Sequence, residues 1–146
     1  MSYAVLLTLH LFAAFIFVGV VFFEVLILEG ARKHASHAAF REVEQAIGRR
    51  ARRLMPWVLL VLYSAGAGMA WRYRDLLAQP FSSSFSTLLT LKILLALSVL
   101  GHFIRAMTWL LRGQMTSRRF RIIHYSVFAH MVGIVLLAKG MFHLTW

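Results

Sequence analysis

Four stretches of this chain, 3–28, 54–71, 87–111 and 122–144, are almost wholly apolar. Each is close to or above the about 20 residues that a helix needs to cross a bilayer. Hydrocarbon offers no water to a main-chain N–H or C=O, so a segment of this kind must satisfy its hydrogen bonds internally, as a helix does. The expectation is an all-α integral membrane four-helix bundle, a single domain over 1–146. Composition agrees: 60% of the 146 residues are hydrophobic and 14% charged, against about 25% charged in a soluble domain. There is no cysteine, which excludes disulfides, thiolate metal sites and cysteine nucleophiles. No basic residue precedes the first stretch and no small-residue cleavage pattern follows it, so it is expected to be retained as a span.

Sixteen Lys and Arg against five Asp and Glu give a formal charge of +11. In a chain this apolar, that excess is expected to face a membrane surface, not nucleic acid. Arg32, Lys33, Arg41, Arg49, Arg50, Arg52 and Arg53 separate the first two stretches, and Arg112, Arg118, Arg119 and Arg121 the last two. The middle connection has only Arg72 and Arg74, partly offset by Asp75. The positive-inside rule puts both strongly basic loops in the cytoplasm and both termini outside. Trp57, Trp71, Tyr73, Trp109 and Trp146 fall near span ends, where aromatic anchors sit. Residues 36–53, with Ser36 as N-cap and Phe40, Val43 and Ile47 at helical spacing, predict a short amphipathic helix on the cytoplasmic surface. The connection containing Pro80 and Ser82 to Ser84 reads as irregular.

Ionisable side chains inside hydrocarbon are costly and mark function. Here they are His10 and Glu24 in the first stretch, Lys92, His102 and Arg105 in the third, and His124, His130, Lys139 and His143 in the fourth. At about 1.5 Å per residue, His10, Lys92, Lys139 and His143 belong to the outer leaflet, while His102 and His130 share one level roughly 12 Å from the inner ends. On the fourth helix His143, Ala129, Gly140, Gly133, Ser126 and His130 fall on one arc whose small residues mark a packed face. His124 and Lys139 lie outside it. On the first helix His10, Phe17 and Glu24 form a stripe; on the third, Lys92, Val99 and His102 share a face and Arg105 turns away. Ser64, Gly66 and Gly68 form a small-residue patch on the second, open to a neighbour or a flat cofactor. Glu24 reads as an inner-interface carboxylate near Arg32 or Arg121, and Met141 as lipid-facing. Imidazole ligates haem iron and metals, so His102 with His130, and His10 with His143, are candidate ligand pairs.

The first helix carries Leu9, His10, Leu11, Phe12, Ala13, Ala14, Phe17 and Gly19, and the third Leu91, Lys92, Ile93, Leu94 and Leu95, followed by His102 and Arg105. Together these resemble the CopD-type membrane domain of copper-resistance proteins and the related HemJ-type protoporphyrinogen oxidases, small haem-associated helical membrane proteins. The resemblance implies haem-linked roles for His10 and Lys92, which match an early histidine and an early lysine of HemJ-type helices.

The reading is therefore a b-type haem-binding membrane protein with one or two haems, possessing a redox or electron-transfer role and no evident general base or nucleophile. His102 and His130 are the expected inner axial pair, His10 with His143 the outer ligands, and Lys92 the partner of a haem propionate or an anionic redox protein. Quinone, tetrapyrrole or a small oxygen species is the expected substrate class, which would make it a haem-dependent membrane oxidoreductase, and a homo-oligomer is compatible. Copper transport or resistance through the same histidines, and a structural accessory subunit, are the alternatives.

Overall fold

The computed structural model describes residues 1–144; Trp146, one of the expected interface aromatics, lies outside them. The described chain is mostly helical, without strands, and four helical stretches are long and apolar enough to cross a membrane: Tyr3–His34, His37–Leu77, Ser84–Leu111 and Ser117–Gly140. Its contacts divide into two compact units, Met1–Trp71 and Arg72–Trp146.

In the first unit, α1 (Tyr3–Phe22) starts at Ser2, whose hydroxyl accepts from the Val5 N–H. It passes into a π-helical turn, Phe23–Leu28, which encloses the buried Glu24, and then into the short α2 (Glu29–Ala31). Ala13, Phe17, Val21, Glu24, Val25 and Leu28 are its buried positions, and all but Val25 follow one another at three- and four-residue spacing. Helix α3 (His37–Ala70) packs against α1. Ser36 caps it, as expected, by accepting from the Ala39 N–H. The expected short surface helix followed by a separate span is corrected: one helix runs through both, with Pro56 inside it. A proline there removes one i to i−4 bond and crowds the carbonyl of Arg52, a local cost that the helical turns on either side of Pro56 absorb. Arg32 closes the junction between α2 and α3, with Nη2 3.1 Å from Glu29 Oε2 and 2.7 Å from Glu44 Oε1, and its guanidinium lies over the Phe40 ring.

The second unit begins with α4 (Arg74–Leu77) and a connection more ordered than its composition suggests. Ser86 is fully buried, its hydroxyl 2.6 Å from the Leu76 carbonyl and 2.9 Å from that of Gln79, one donor shared by two acceptors. Ser83 caps α5 (Ser84–Leu111) through the Ser86 N–H. Helix α5 ends in a Schellman motif: Gln114 N–H returns to the Trp109 carbonyl and Gly113 N–H to that of Leu110. Gly113 takes φ +65°, which only glycine adopts cheaply. Thr116 then caps α6 (Ser117–Gly140), which returns antiparallel along α5.

The two arms meet in a seven-residue register. Leu88 reaches Gly140 and Leu95 reaches Gly133. His102 meets Ser126, and Trp109 meets Arg119. Each step of seven forward on α5 is matched by a step of seven back on α6, the repeat of left-handed helix pairs. At the first three levels a small residue of α6 faces a large one of α5, so the backbones approach closely. A Cβ on Gly133 would stand 3.1 Å from Leu95 Cδ1. Helix α6 stops at Gly140, so the expected span to 144 is corrected: His143 lies in the closing turn, exposed, its N–H on the Gly140 carbonyl. Helical arithmetic therefore does not assign it a direction. Met141, expected to face lipid, is buried with Leu88 and Leu89.

Candidate functional site

A serine four residues before a histidine occurs on both arms of the α5/α6 hairpin: Ser98 with His102, and Ser126 with His130. In a helix this spacing puts an imidazole one turn beyond its own serine, within reach of that serine's carbonyl. His102 Nδ1 lies 2.7 Å from the Ser98 carbonyl and His130 Nδ1 2.7 Å from that of Ser126. A carbonyl only accepts, so each Nδ1 carries a proton, and in the neutral form of such a ring Nε2 is the unprotonated nitrogen. Both Nε2 atoms accept across the hairpin: Ser126 Oγ donates to His102 and Ser98 Oγ to His130, each at 2.9 Å. The quartet is reciprocal, each arm providing one hydroxyl and one ring to the other. Its ring centroids are 5.2 Å apart with planes at 56°.

His10 is held differently. Its Nδ1 lies 2.9 Å from the Leu62 carbonyl on α3, so the anchor comes from another helix. Gly66, one turn past Leu62, makes the room: a Cβ there would stand 3.2 Å from His10 Cε1 and 3.3 Å from Nδ1. Gly68 likewise admits Leu6. The small-residue patch read from the sequence thus receives α1 at Gly66 and Gly68, while Ser64 is exposed. His124 anchors Nδ1 on the Phe120 carbonyl at 2.8 Å, and its ring stacks on Phe120 at 3.9 Å between centroids.

Of the residues expected to form the site, the structure brings His102 and His130 together within one unit. Lys92 is half-buried on α5, on the less exposed side with Val99 and His102, while Leu91, Leu94 and Leu97 are exposed. His10 belongs to the first unit and Lys92 and His143 to the second. Sequence reasoning missed Ser98. The Ser-x3-His spacing, present twice, is the signal that would have found it. Among the described residues no group of three or more His, Asp or Glu side chains is placed to hold a metal ion.

The chemistry available is that of neutral imidazoles held in one tautomer by main-chain carbonyls, with Nε2 as the basic nitrogen. A carbonyl on the far nitrogen orients a ligating histidine and raises its basicity. Comparison with protein-family models, curated proteins and solved structures finds no match to this chain.

Proposed function

We propose that this multi-pass membrane protein binds b-type haem through its membrane histidines and passes electrons to or from a quinone, a tetrapyrrole, a small oxygen species or a redox protein. The reading includes a bacterial cytoplasmic membrane with both termini outside and both strongly basic loops inside. One observation supports it most: His10 Nδ1 donates to the Leu62 carbonyl beside Gly66, which leaves Nε2 as the unprotonated nitrogen that iron requires. Haem, when bound, would supply one-electron chemistry; the protein's part is to set the ring's tautomer, orient it and keep water away.

His102 and His130 are the proposed inner axial pair and His10 an outer ligand. The Nε2 atoms of His102 and His130 accept from serine hydroxyls, and rings 5.2 Å apart between centroids are too close to hold an iron between them. As a shared axial pair they would have to release both serines and separate. His143 is the proposed second outer ligand, and Lys92 the cation for a propionate. A structural role, in which the polar residues only join the helices, is favoured by the complete hydrogen bonding of the quartet.

The test is absorption of the protein purified in mild detergent. A reducible Soret band with sharp α and β bands, lost in His10→Ala, supports the assignment. Loss only in His102→Ala and His130→Ala assigns the haem to the inner pair alone. Copper without those bands supports copper handling, and the absence of both supports the structural role.

A further inference from the structure

We propose that the turn-side end of the α5/α6 hairpin, around Arg105, Trp109 and Arg119, binds the phosphate of an anionic phospholipid headgroup. Two guanidinium groups converge there on one indole: Arg105 Cζ and Arg119 Cζ each lie 4.7 Å from the Trp109 ring centroid. They come from different helices, and the fold fixes both. Arg105 precedes Trp109 by one turn of α5, while the Schellman turn brings the chain back so that Arg119 Nη1 donates to the Gln114 carbonyl at 2.7 Å.

Among the described residues of this unit no carboxylate pairs with them. No Asp or Glu follows Asp75 in the sequence, and Asp75 lies before α5, 3.7 Å from Arg74. Arg112, Arg118 and Arg121 add like charge to the same turn region. Arg32 of the first unit shows the contrast, with the carboxylates of Glu29 and Glu44 on its guanidinium. Cations gathered on one indole without a carboxylate call for an external anion, and a guanidinium fork matches phosphate oxygens in particular.

The surroundings select a lipid as the source of that phosphate. Trp109 lies two turns beyond the membrane-level quartet, and tryptophan favours the headgroup region. Ile104, Leu111 and Ile122, on the same stretches of α5 and α6, are 57%, 78% and 57% exposed, apolar side chains open to acyl chains at this level of the hairpin. Arg105 and Arg119 are themselves exposed. A soluble anion would gain from the charge and leave the apolar surface uncovered.

The experiment is native mass spectrometry of the intact chain in detergent, titrated with phosphatidylglycerol or with phosphatidylcholine of the same acyl chains. The expected result is preferential retention of phosphatidylglycerol, weakened about fivefold by Arg105→Gln or Arg119→Gln and roughly 30-fold by both. Arg74→Gln should leave it unchanged. Arg105→Lys with Arg119→Lys keeps the charge, loses the planar fork and guards against a misfolded glutamine variant; its preference should fall between that of wild type and that of the double glutamine variant. Equal retention of the two lipids, or a double variant that binds like wild type, overturns the proposal. Displacement of the lipid by millimolar inorganic phosphate or by a short oligonucleotide, but not by chloride of equal ionic strength, overturns the lipid assignment in favour of a soluble anion or nucleic acid.

Discussion

Removing one hydroxyl from the reciprocal quartet should destabilise the hairpin measurably without disturbing either histidine's anchor. Ser98→Ala deletes the donor to His130 Nε2 but keeps the Ser98 main-chain carbonyl, on which His102 Nδ1 rests. His130 stays fixed by the Ser126 carbonyl, so its Nε2 is left half-buried and facing a methyl group. In a soluble core an acceptor stranded in this way costs about 1–3 kcal/mol. Between membrane helices, pairwise hydrogen bonds average about 0.6 and reach about 1.7 kcal/mol. The expected loss is therefore about 1 kcal/mol, a fivefold change in the unfolding equilibrium, and the same for Ser126→Ala, whose bond to His102 is its mirror. Unfolding by sodium dodecyl sulfate in mixed micelles, followed by tryptophan fluorescence, measures the change. Ser64→Ala, at an exposed position, provides the control. If Ser98→Ala costs no more than Ser64→Ala, or if a Ser98/His130 double-mutant cycle yields no coupling, the quartet does not hold the hairpin.

Gly66→Ala should cost more than Gly68→Ala, although the added Cβ meets a neighbour at 3.2 Å in one case and 3.1 Å in the other. The first meets an imidazole pinned by the Leu62 carbonyl, the second the rotatable tip of Leu6. We expect about 1–2 kcal/mol against less than about 1 in the same assay, and equal losses would refute the argument. For orientation, alkaline phosphatase fused after Trp146 should be active and a green fluorescent protein fused there dark, because seven and four Lys and Arg flank the proposed cytoplasmic connections against two in the other. The opposite pattern would reverse the topology.

The four spanning stretches were legible because bilayer thickness imposes a length that composition alone reveals. Cap positions were legible where a serine preceded a helical pattern, as at Ser36. The continuity of α3 was not. Arg53 to Leu54 is an abrupt change from charged to apolar, but main-chain hydrogen bonding is indifferent to side-chain polarity, and Pro56 interrupts a single bond. His143 was given a direction by extending helical rotation past Gly140, where a glycine near the end of a periodic run is itself a stop signal. His102 and His130 were correctly placed at one level. Their serines were not recognised as partners, because Ser126 read as a small packing residue and Ser98 was passed over.

A seven-residue packing repeat is degenerate, since sliding one arm by a whole repeat again sets many apolar residues against small ones. Moved one way, His102 would face Gly133 and Ser126 would face Trp109; moved the other, His102 would face Arg119 and Ser126 would face Leu95. Both displaced alignments strand polar groups that only the observed one satisfies. The quartet thus acts as an index mark on an otherwise repeating scale, much as one buried asparagine selects among the possible alignments of a coiled coil. A variant carrying leucine at all four positions would keep an apolar hairpin but lose that mark, and its arms would have several places to stop.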